Sequence, residues 1–223
     1  SSAGRYVGVA PLGTSLTTEQ ARQLRSWGRD PIVATDNDLA GQAAAQRHYW
    51  MLVPQLLQPR HAHLPDLSDP ADLLAAKRPE ELLDALAHAH PLADTLIDER
   101  LGNLPAADAA LQALPVIAAR PVDHWEPALR VVAARTGAPL DVLRDGLQHH
   151  IRDFNDDPAR AADRQLALGE GVRDRLATAA ITRRWDSLGR TIDPRLVADP
   201  AWPQLAATLD AISRQGYEAG EIV

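Results

Sequence analysis

The 223-residue sequence contains no cysteine, so it has neither a disulfide framework nor a zinc site built from thiolates. The absence of cysteine fits a cytoplasmic protein, and the cytoplasm is the location that we predict. No apolar run approaches the ~18 residues that a membrane-spanning helix needs, and no N-terminal signal pattern is present. We therefore predict no membrane interaction.

Positive charge is also in short supply. The 23 Lys and Arg residues are outnumbered by 30 Asp and Glu residues, which leaves a formal net charge of −7 at pH 7. A protein that holds DNA mainly through its phosphates usually has a basic surface. The chain as a whole is therefore a poor candidate for the main DNA-gripping surface of a protein. Its other proportions, 45% hydrophobic and 24% charged residues, are ordinary for a globular chain with one core or two small domains.

The most informative stretch is residues 31–45, which predict a buried strand followed by a helix. An apolar run occupies residues 32–34, and a helical pattern begins at Leu39. Asp36 and Asp38 lie at the junction, and their spacing of two places both carboxylates on the same side of an extended backbone. Carboxylates this close repel each other, and a raised pKa or a hard cation between them relieves the repulsion.

Comparison of this junction with known acidic loops excludes two kinds of site. A calcium-binding EF-hand also begins D-x-D and has glycine at its sixth position, as Gly41 does here, but it needs an oxygen ligand at position five and Glu at position twelve. Ala40 and Arg47 stand there, so an EF-hand is excluded. Ala40 also replaces the Thr of a phosphate-transferring D-x-D of the haloacid dehalogenase type. Spacing alone leaves two interpretations open: a helix cap, for which one Asp suffices, and a magnesium site at the carboxyl end of a parallel strand, where Gly41 lets the backbone approach whatever the acids hold.

A second acidic group occurs in Leu64–Leu74, LPDLSDPADLL. Asp66, Asp69 and Asp72 crowd the predicted end of a strand and the first turn of a helix, which Pro70 is well placed to open. Acids at that position favour the helix dipole whatever the function of the protein. The pattern alone therefore does not assign them a role.

Three stretches together resemble a known family, the DnaG-type bacterial primases. They are Val9–Leu24 (VAPLGTSLTTEQARQL), Ala34–Ala45 (ATDNDLAGQAAA) and Leu64–Leu74, and they follow the order and rough spacing of that family. In the family these stretches belong to the TOPRIM domain, a small α/β fold that binds divalent metal and is shared with topoisomerases and some nucleases. The resemblance covers roughly residues 4–105 and extends to about residue 155.

The resemblance, with the periodicity of the chain, predicts an α/β part followed by an all-α part, mainly helical overall. We expect an incomplete TOPRIM sheet in residues 1–75, a helical subdomain of a primase-like core in residues 76–155 and a helical tail in residues 156–223. Residues 5–68 are expected to hold a parallel pair or triplet of short strands, and everything after about residue 69 is expected to be helical. The predicted strands are Tyr6–Ala10, Ile32–Thr35 and Arg60–Leu64.

The resemblance also implies site residues. Asp36 and Asp38 would be catalytic and would hold Mg²⁺ or Mn²⁺ together with Asp66 and Asp69. The family has a further acid just after the proline, where this sequence has Ala71 and then Asp72 one residue late. Residues expected to contact substrate are Gly13, Thr14 and Gly41.

The implied function is that of a DnaG-like primase, a nucleotidyltransferase that makes RNA primers on single-stranded DNA from nucleoside triphosphates. The family's TOPRIM domain opens with a strand ending in Glu-Gly, and no Glu precedes Gly13 here. We therefore expect this chain to be the C-terminal part of a primase-like protein of a plasmid or mobile element, inactive by itself. The alternatives are a degenerate TOPRIM module that docks on a helicase or relaxase, and a TOPRIM nuclease.

Three further patterns carry expectations. Thr17 and Gln20 predict a capping box for a helix that ends near Gly28, with Arg22, Arg25 and Arg29 on its polar side as a solvated face or a nucleic-acid contact. His61 and His63 would face the same way on a strand and are interpreted as incidental. The polar segment 155–162 is a candidate linker, followed by helices at about residues 162–187 and 202–212.

Overall fold

The structure is a computed structural model. It describes residues 6–11, 16–36, 39–65 and 68–168 together with positions 178, 197, 198, 202 and 205. Within the described residues up to 168 there are three short strands and nine α-helices. The strands are β1 (Ile32–Val33), β2 (Arg60–His61) and β3 (His90–Pro91). The helices are α1 (Thr18–Ser26), α2 (Leu39–Leu52), α3 (Pro70–Ala75), α4 (Pro79–Ala87), α5 (Leu92–Asn103), α6 (Ala106–Ala118), α7 (Trp125–Thr136), α8 (Leu140–Asp156) and α9 (residues 158–168). Short 3₁₀ turns occupy Val53–Gln55 and Val122–His124.

The sheet has the order β1-β2-β3. β1 and β2 are parallel, with Val33 opposite His61, so α2 is the crossover helix of a βαβ unit, as predicted for residues 5–68. β3 is antiparallel to β2 and places His90 opposite His61. The expectation that everything after about residue 69 is helical is therefore wrong at His90–Pro91. Pro91 lacks a backbone N–H, which is tolerated because β3 lies at the edge of the sheet.

The predicted strand Tyr6–Ala10 does not form. Residues 6–11 have no regular secondary structure, and the side chains of Val7 and Val9 are 84% and 55% exposed. A strand is stable only when its N–H and C=O groups pair with a neighbour, and β1 pairs only with β2 among the described residues. The alternation of small and apolar residues is thus insufficient to form a strand when no neighbouring strand pairs with it.

Local signals at the helix ends act as the sequence predicts. Gln20 N–H donates to Thr17 Oγ1 at 3.2 Å while Thr17 N–H donates to Gln20 Oε1 at 2.8 Å, which is the expected capping box of α1. Pro54 lies in the 3₁₀ turn directly after α2 and prevents its continuation. The candidate linker 155–162 is instead helical except at Asp157, whose Oδ1 accepts the Arg160 N–H at 3.0 Å and so caps α9. The predicted helices at 162–187 and 202–212 lie largely outside the described residues.

One hydrophobic core joins the sheet to the helices. α6 is its centre and packs against α5, α7 and α8. The buried cluster runs from Val33 and Tyr49 in the βαβ unit to Ile117 in α6 and Leu147 in α8. Tyr49 Oη donates to the Val116 carbonyl at 3.0 Å inside this core. The acidic loop therefore precedes the N-terminal end of α2, and the C-terminal half of the same helix packs against α6.

Among the described helices, none is both long enough and apolar enough to cross a membrane.

Candidate functional site

The first acidic loop leaves the carboxyl end of β1. Asp36 follows Val33 by three residues and is exposed, and α2 begins at Leu39. Ile32 and Val33 form a strand because they are β-branched and because β2 supplies its hydrogen-bonding partners. In parallel sheets the carboxyl ends of strands meet at one edge, which is where such folds place ligands.

Gly41, in the first turn of α2, is pressed against this loop. A Cβ built on Gly41 would lie 1.9 Å from the Asp36 carbonyl oxygen and 2.8 Å from the Asp36 carbonyl carbon. Those contacts are with backbone, which cannot rotate away as a side chain would. Only glycine therefore allows the Asp36 backbone to rest on the start of α2. The part of the molecule that lies close to Gly41 is thus the backbone of the acidic loop.

The second acidic group begins α3. Asp69 is its N-cap: Asp69 Oδ1 accepts the Asp72 N–H at 2.6 Å, and Asp72 Oδ2 accepts the Asp69 N–H at 3.4 Å. Pro70 occupies the first helical position, as predicted. Capping of α3 thus gives Asp69 and Asp72 a structural role that requires no bound metal. A carboxylate has two oxygens, so capping engages only part of the acceptor capacity of Asp69.

β1 and β2 are parallel, so the chain leaves both strands at the same end of the sheet. That the two acidic groups meet there stays a prediction. The chain that follows β1 carries Asp36, and the chain that follows β2 carries Asp69, and both leave the sheet in the same direction. Asp38 and Asp66, as well as Gly13 and Thr14, lie outside the described residues. The predicted separation of about 4–7 Å between the carboxylates of the two groups, inferred from metal–oxygen distances, stays a prediction.

The donors in this region are of the type that a hard cation requires. Asp36 and Asp69 offer carboxylate oxygens, and Thr35 Oγ1, immediately before Asp36, is buried with no hydrogen-bond partner. Over the described ranges, no group of three or more His, Asp or Glu side chains converges as a metal site. Asp38 and Asp66, which the sequence predicts as further ligands, lie outside those ranges.

A histidine cluster lies beside this edge and was not recognised as a unit from the sequence. The ring centroid of His61 is 6.3 Å from that of His63 and 6.2 Å from that of His90. Thr95 Oγ1 lies 3.0 Å from His90 Nε2 and 3.5 Å from His61 Nδ1. Burial, with the nearby His90 and His63, lowers the pKa of His61 to about 4. His61 is thus neutral at pH 7, and its partner His90 was undetectable from sequence because it arrives on β3.

The known proteins to which this chain is similar are Toprim-like proteins and DNA primases. Residues 2–74 match a family described as Toprim-like. A DNA primase of Halalkalibacterium halodurans is 42% identical over 72 residues, which are 32% of this chain and 12% of that protein. A DNA primase of Clostridium acetobutylicum is 29% identical over 100 residues, which are 45% of this chain and 17% of that protein. The match thus spans less than a fifth of the length of either relative.

A solved structure extends the likeness to the helices. A DNA primase domain from Pseudomonas aeruginosa superposes with a TM-score of 0.51 at 23% sequence identity, covering 62% of this chain and 46% of that one. Residues 2–74 make up only about a third of the chain, so the shared fold continues into the helices that follow α3. At this identity the superposition establishes the fold alone.

Proposed function

We propose that this chain is part of a DnaG-like DNA primase, on the premise that its N-terminal third is a Toprim-like segment similar to bacterial DNA primases. The predicted resemblance to DnaG-type primases is confirmed, and so is the order of a small α/β part followed by helices. An origin in a plasmid or mobile element stays a prediction.

One observation supports the proposal most directly: the Asp36 backbone rests on Gly41 at the carboxyl end of β1. A helix cap needs only one acidic side chain and no glycine five residues later. A contact that holds the Asp36 backbone against α2 limits where the Asp36 carboxylate can lie, and a metal site requires such limited freedom of its ligands. This arrangement favours the magnesium interpretation over the simple cap.

In the proposed reaction, the 3′ hydroxyl of a growing primer attacks the α-phosphorus of a nucleoside triphosphate, and pyrophosphate leaves. Asp36 and Asp38 would hold one or two divalent cations, together with Asp66 and Asp69. A bound Mg²⁺ or Mn²⁺ would supply Lewis-acid activation of the hydroxyl and offset the charge of the triphosphate. Gly41 keeps the Asp36 loop in position, and Gly13, Thr14 and Gly41 are the proposed substrate contacts.

The matched relatives extend well beyond the region shared with this chain, so we expect residues 1–223 alone to make no primer. Oxygen-ligand sites weaken with each carboxylate that is absent, and the family's Glu is not in this sequence. The net charge of −7 also gives the isolated chain no long-range attraction for a template.

The test is primer synthesis on single-stranded DNA with Mn²⁺. Activity should appear when the chain is joined to the further parts that the matched DNA primases have beyond the shared region, and Asp38→Ala should abolish it. Asp145→Ala, which removes an exposed acid on α8, is the matched control and should retain activity. Robust synthesis by residues 1–223 alone would contradict the expected inactivity, and a longer polypeptide that binds a helicase or relaxase without synthesis would favour the interaction module.

A further inference from the structure

We infer that His61 and His90 form a binding site for a divalent transition metal ion that prefers nitrogen ligands, of which Zn²⁺ is the representative. The two side chains, with the Thr95 hydroxyl between their ring nitrogens, are called the histidine site. Imidazole suits Zn²⁺, Ni²⁺ and Cu²⁺, whereas Mg²⁺ and Mn²⁺ prefer the oxygen ligands that the acidic groups offer. The inference therefore does not depend on the proposed function.

The three residues come from three elements that the fold brings together. His61 on β2 lies directly opposite His90 on β3, and residues opposite each other in an antiparallel pair have their side chains on the same face. Thr95 lies in the first turn of α5, which begins directly after β3. The Leu92 N–H donates to the Pro59 carbonyl at 2.9 Å and so fixes the start of α5 beside β2. The site is thus built on regular elements, which hold ligands more precisely than loops do.

Ring nitrogens of the two histidines are directed at one point. His90 Nε2 lies 3.0 Å from Thr95 Oγ1, and His61 Nδ1 lies 3.5 Å from the same oxygen. The ring centroids are 6.2 Å apart with an interplanar angle of 81°. A neutral imidazole binds a metal through the same ring nitrogens that make its hydrogen bonds. Two nitrogens that meet at one atom are therefore oriented as two ligands of one ion would be.

The Thr95 hydroxyl does not use both ring nitrogens fully. It carries one proton, so it donates a hydrogen bond to one ring and only accepts from the other. The 3.5 Å contact with His61 is also at the outer limit of a hydrogen bond. A Zn²⁺ ion bonds to nitrogen at about 2.0–2.1 Å, so the rings must approach each other slightly when they bind it. His90 is exposed on an edge strand, which leaves its ring room for that movement.

His61 is held in the form that binds metals. It is only 9% exposed, and burial with the nearby His90 and His63 lowers its pKa to about 4. At pH 7 its ring is therefore neutral and offers a lone pair, which an imidazolium does not. Over the described ranges, no third His, Asp or Glu joins the pair in a metal-binding group, so water completes the coordination.

A metal ion in the histidine site would cross-link the two strands. β3 pairs with β2 through only two residues, which is a marginal pairing by itself. A ligand that binds the folded chain and not the unfolded chain stabilises the fold by mass action. Zn²⁺ should therefore raise the urea midpoint of unfolding of the wild-type chain.

The test is isothermal titration calorimetry of the untagged 223-residue chain with Zn²⁺, with Mg²⁺ in excess to fill oxygen-ligand sites. His90→Gln should weaken Zn²⁺ binding by about tenfold or more, because the ion loses one of its two protein nitrogens, and His61→Gln should do the same. His63→Gln is the matched control, since it removes a neighbouring imidazole whose ring centroid is 6.3 Å from that of His61. It should leave the affinity unchanged.

Circular dichroism shows whether each variant is folded. His90 is exposed, so His90→Gln decides the question even where His61→Gln fails to fold. Zn²⁺ should also raise the urea midpoint of the wild-type chain and of His63→Gln but not that of His90→Gln. Absence of Zn²⁺ binding by the wild-type chain would overturn the inference, as would an affinity that is unchanged in His90→Gln or equally weakened in His63→Gln. Neither readout involves primer synthesis, so failure of the histidine site leaves the proposed function standing.

Discussion

Single atoms decide the geometry of the acidic loop. The absent Cβ of Gly41 leaves room for the carbonyl oxygen of Asp36, which would otherwise lie 1.9 Å from it. Gly41→Ala should therefore force the loop off α2 and lower the free energy of unfolding by about 1–3 kcal/mol, since the strain falls on backbone. Urea denaturation measures this loss.

Gly102→Ala is the matched control for that substitution. Gly102 lies in α5, and a Cβ added there meets nothing within 4 Å. Because alanine is the better helix former, this variant should be unchanged or more stable by up to about 1 kcal/mol. A Gly41→Ala variant as stable as Gly102→Ala would show that the loop does not depend on the glycine contact.

His61 makes stability depend on pH. Burial and the neighbouring His90 and His63 hold its folded pKa at about 4, below the ordinary value of 6.5. The unfolded chain therefore takes up a proton first, and the stability that neutral His61 contributes is complete above about pH 6.5 and is lost as the pH falls towards 4. We expect a loss of roughly 1–3 kcal/mol across that window.

His61→Gln should reduce the slope of the unfolding free energy against pH between pH 6.5 and 4, because glutamine does not titrate. Burial also lowers the pKa of His48 and of His150, so part of the slope remains. A profile that keeps its slope in His61→Gln would assign the effect to other groups. The measurement is denaturant unfolding at a series of pH values.

Between elements, a buried hydrogen bond links α2, the helix that follows the acidic loop, to α6. Tyr49 Oη donates to the Val116 carbonyl at 3.0 Å, and burial raises the pKa of Tyr49 well above its ordinary range, so the hydroxyl stays protonated. Tyr49→Phe should lower the free energy of unfolding by about 1–2 kcal/mol, because the buried carbonyl loses its partner. Tyr6→Phe, at an exposed tyrosine, should have no measurable effect.

At the scale of the whole molecule, the shared core predicts cooperative unfolding of the βαβ unit with the helices. Leu129 in α7 is 1% exposed and belongs to the same cluster as Val33 and Tyr49. Leu129→Ala should cost about 2–4 kcal/mol and should lower hydrogen-exchange protection in α2 as well as in α6 and α8. Loss of protection confined to the helices after α4 would instead indicate two independently folding units.

The sequence by itself determined the local features of this protein. Thr17 and Gln20 cap α1, Asp69 and Pro70 start α3, and Pro54 follows the end of α2, because each of these signals acts on hydrogen bonds within a few residues. The position of Asp36 after β1 was likewise predictable, since it follows the apolar run that forms the strand. Three matched stretches identified the Toprim-like segment for the same reason: its distinguishing residues lie in short loops.

Only the tertiary structure decided the features that depend on distant partners. Tyr6–Ala10 has the alternation of a strand but no neighbour to pair with, while His90–Pro91 pairs with β2 without any alternation of its own. His61 is buried and His63 exposed although both lie on one short segment, and Thr95 of α5 lies 3.5 Å from the His61 ring. The contact that makes Gly41 necessary is with the Asp36 backbone. Such contacts depend on where the folded chain brings its segments together, which local periodicity does not encode.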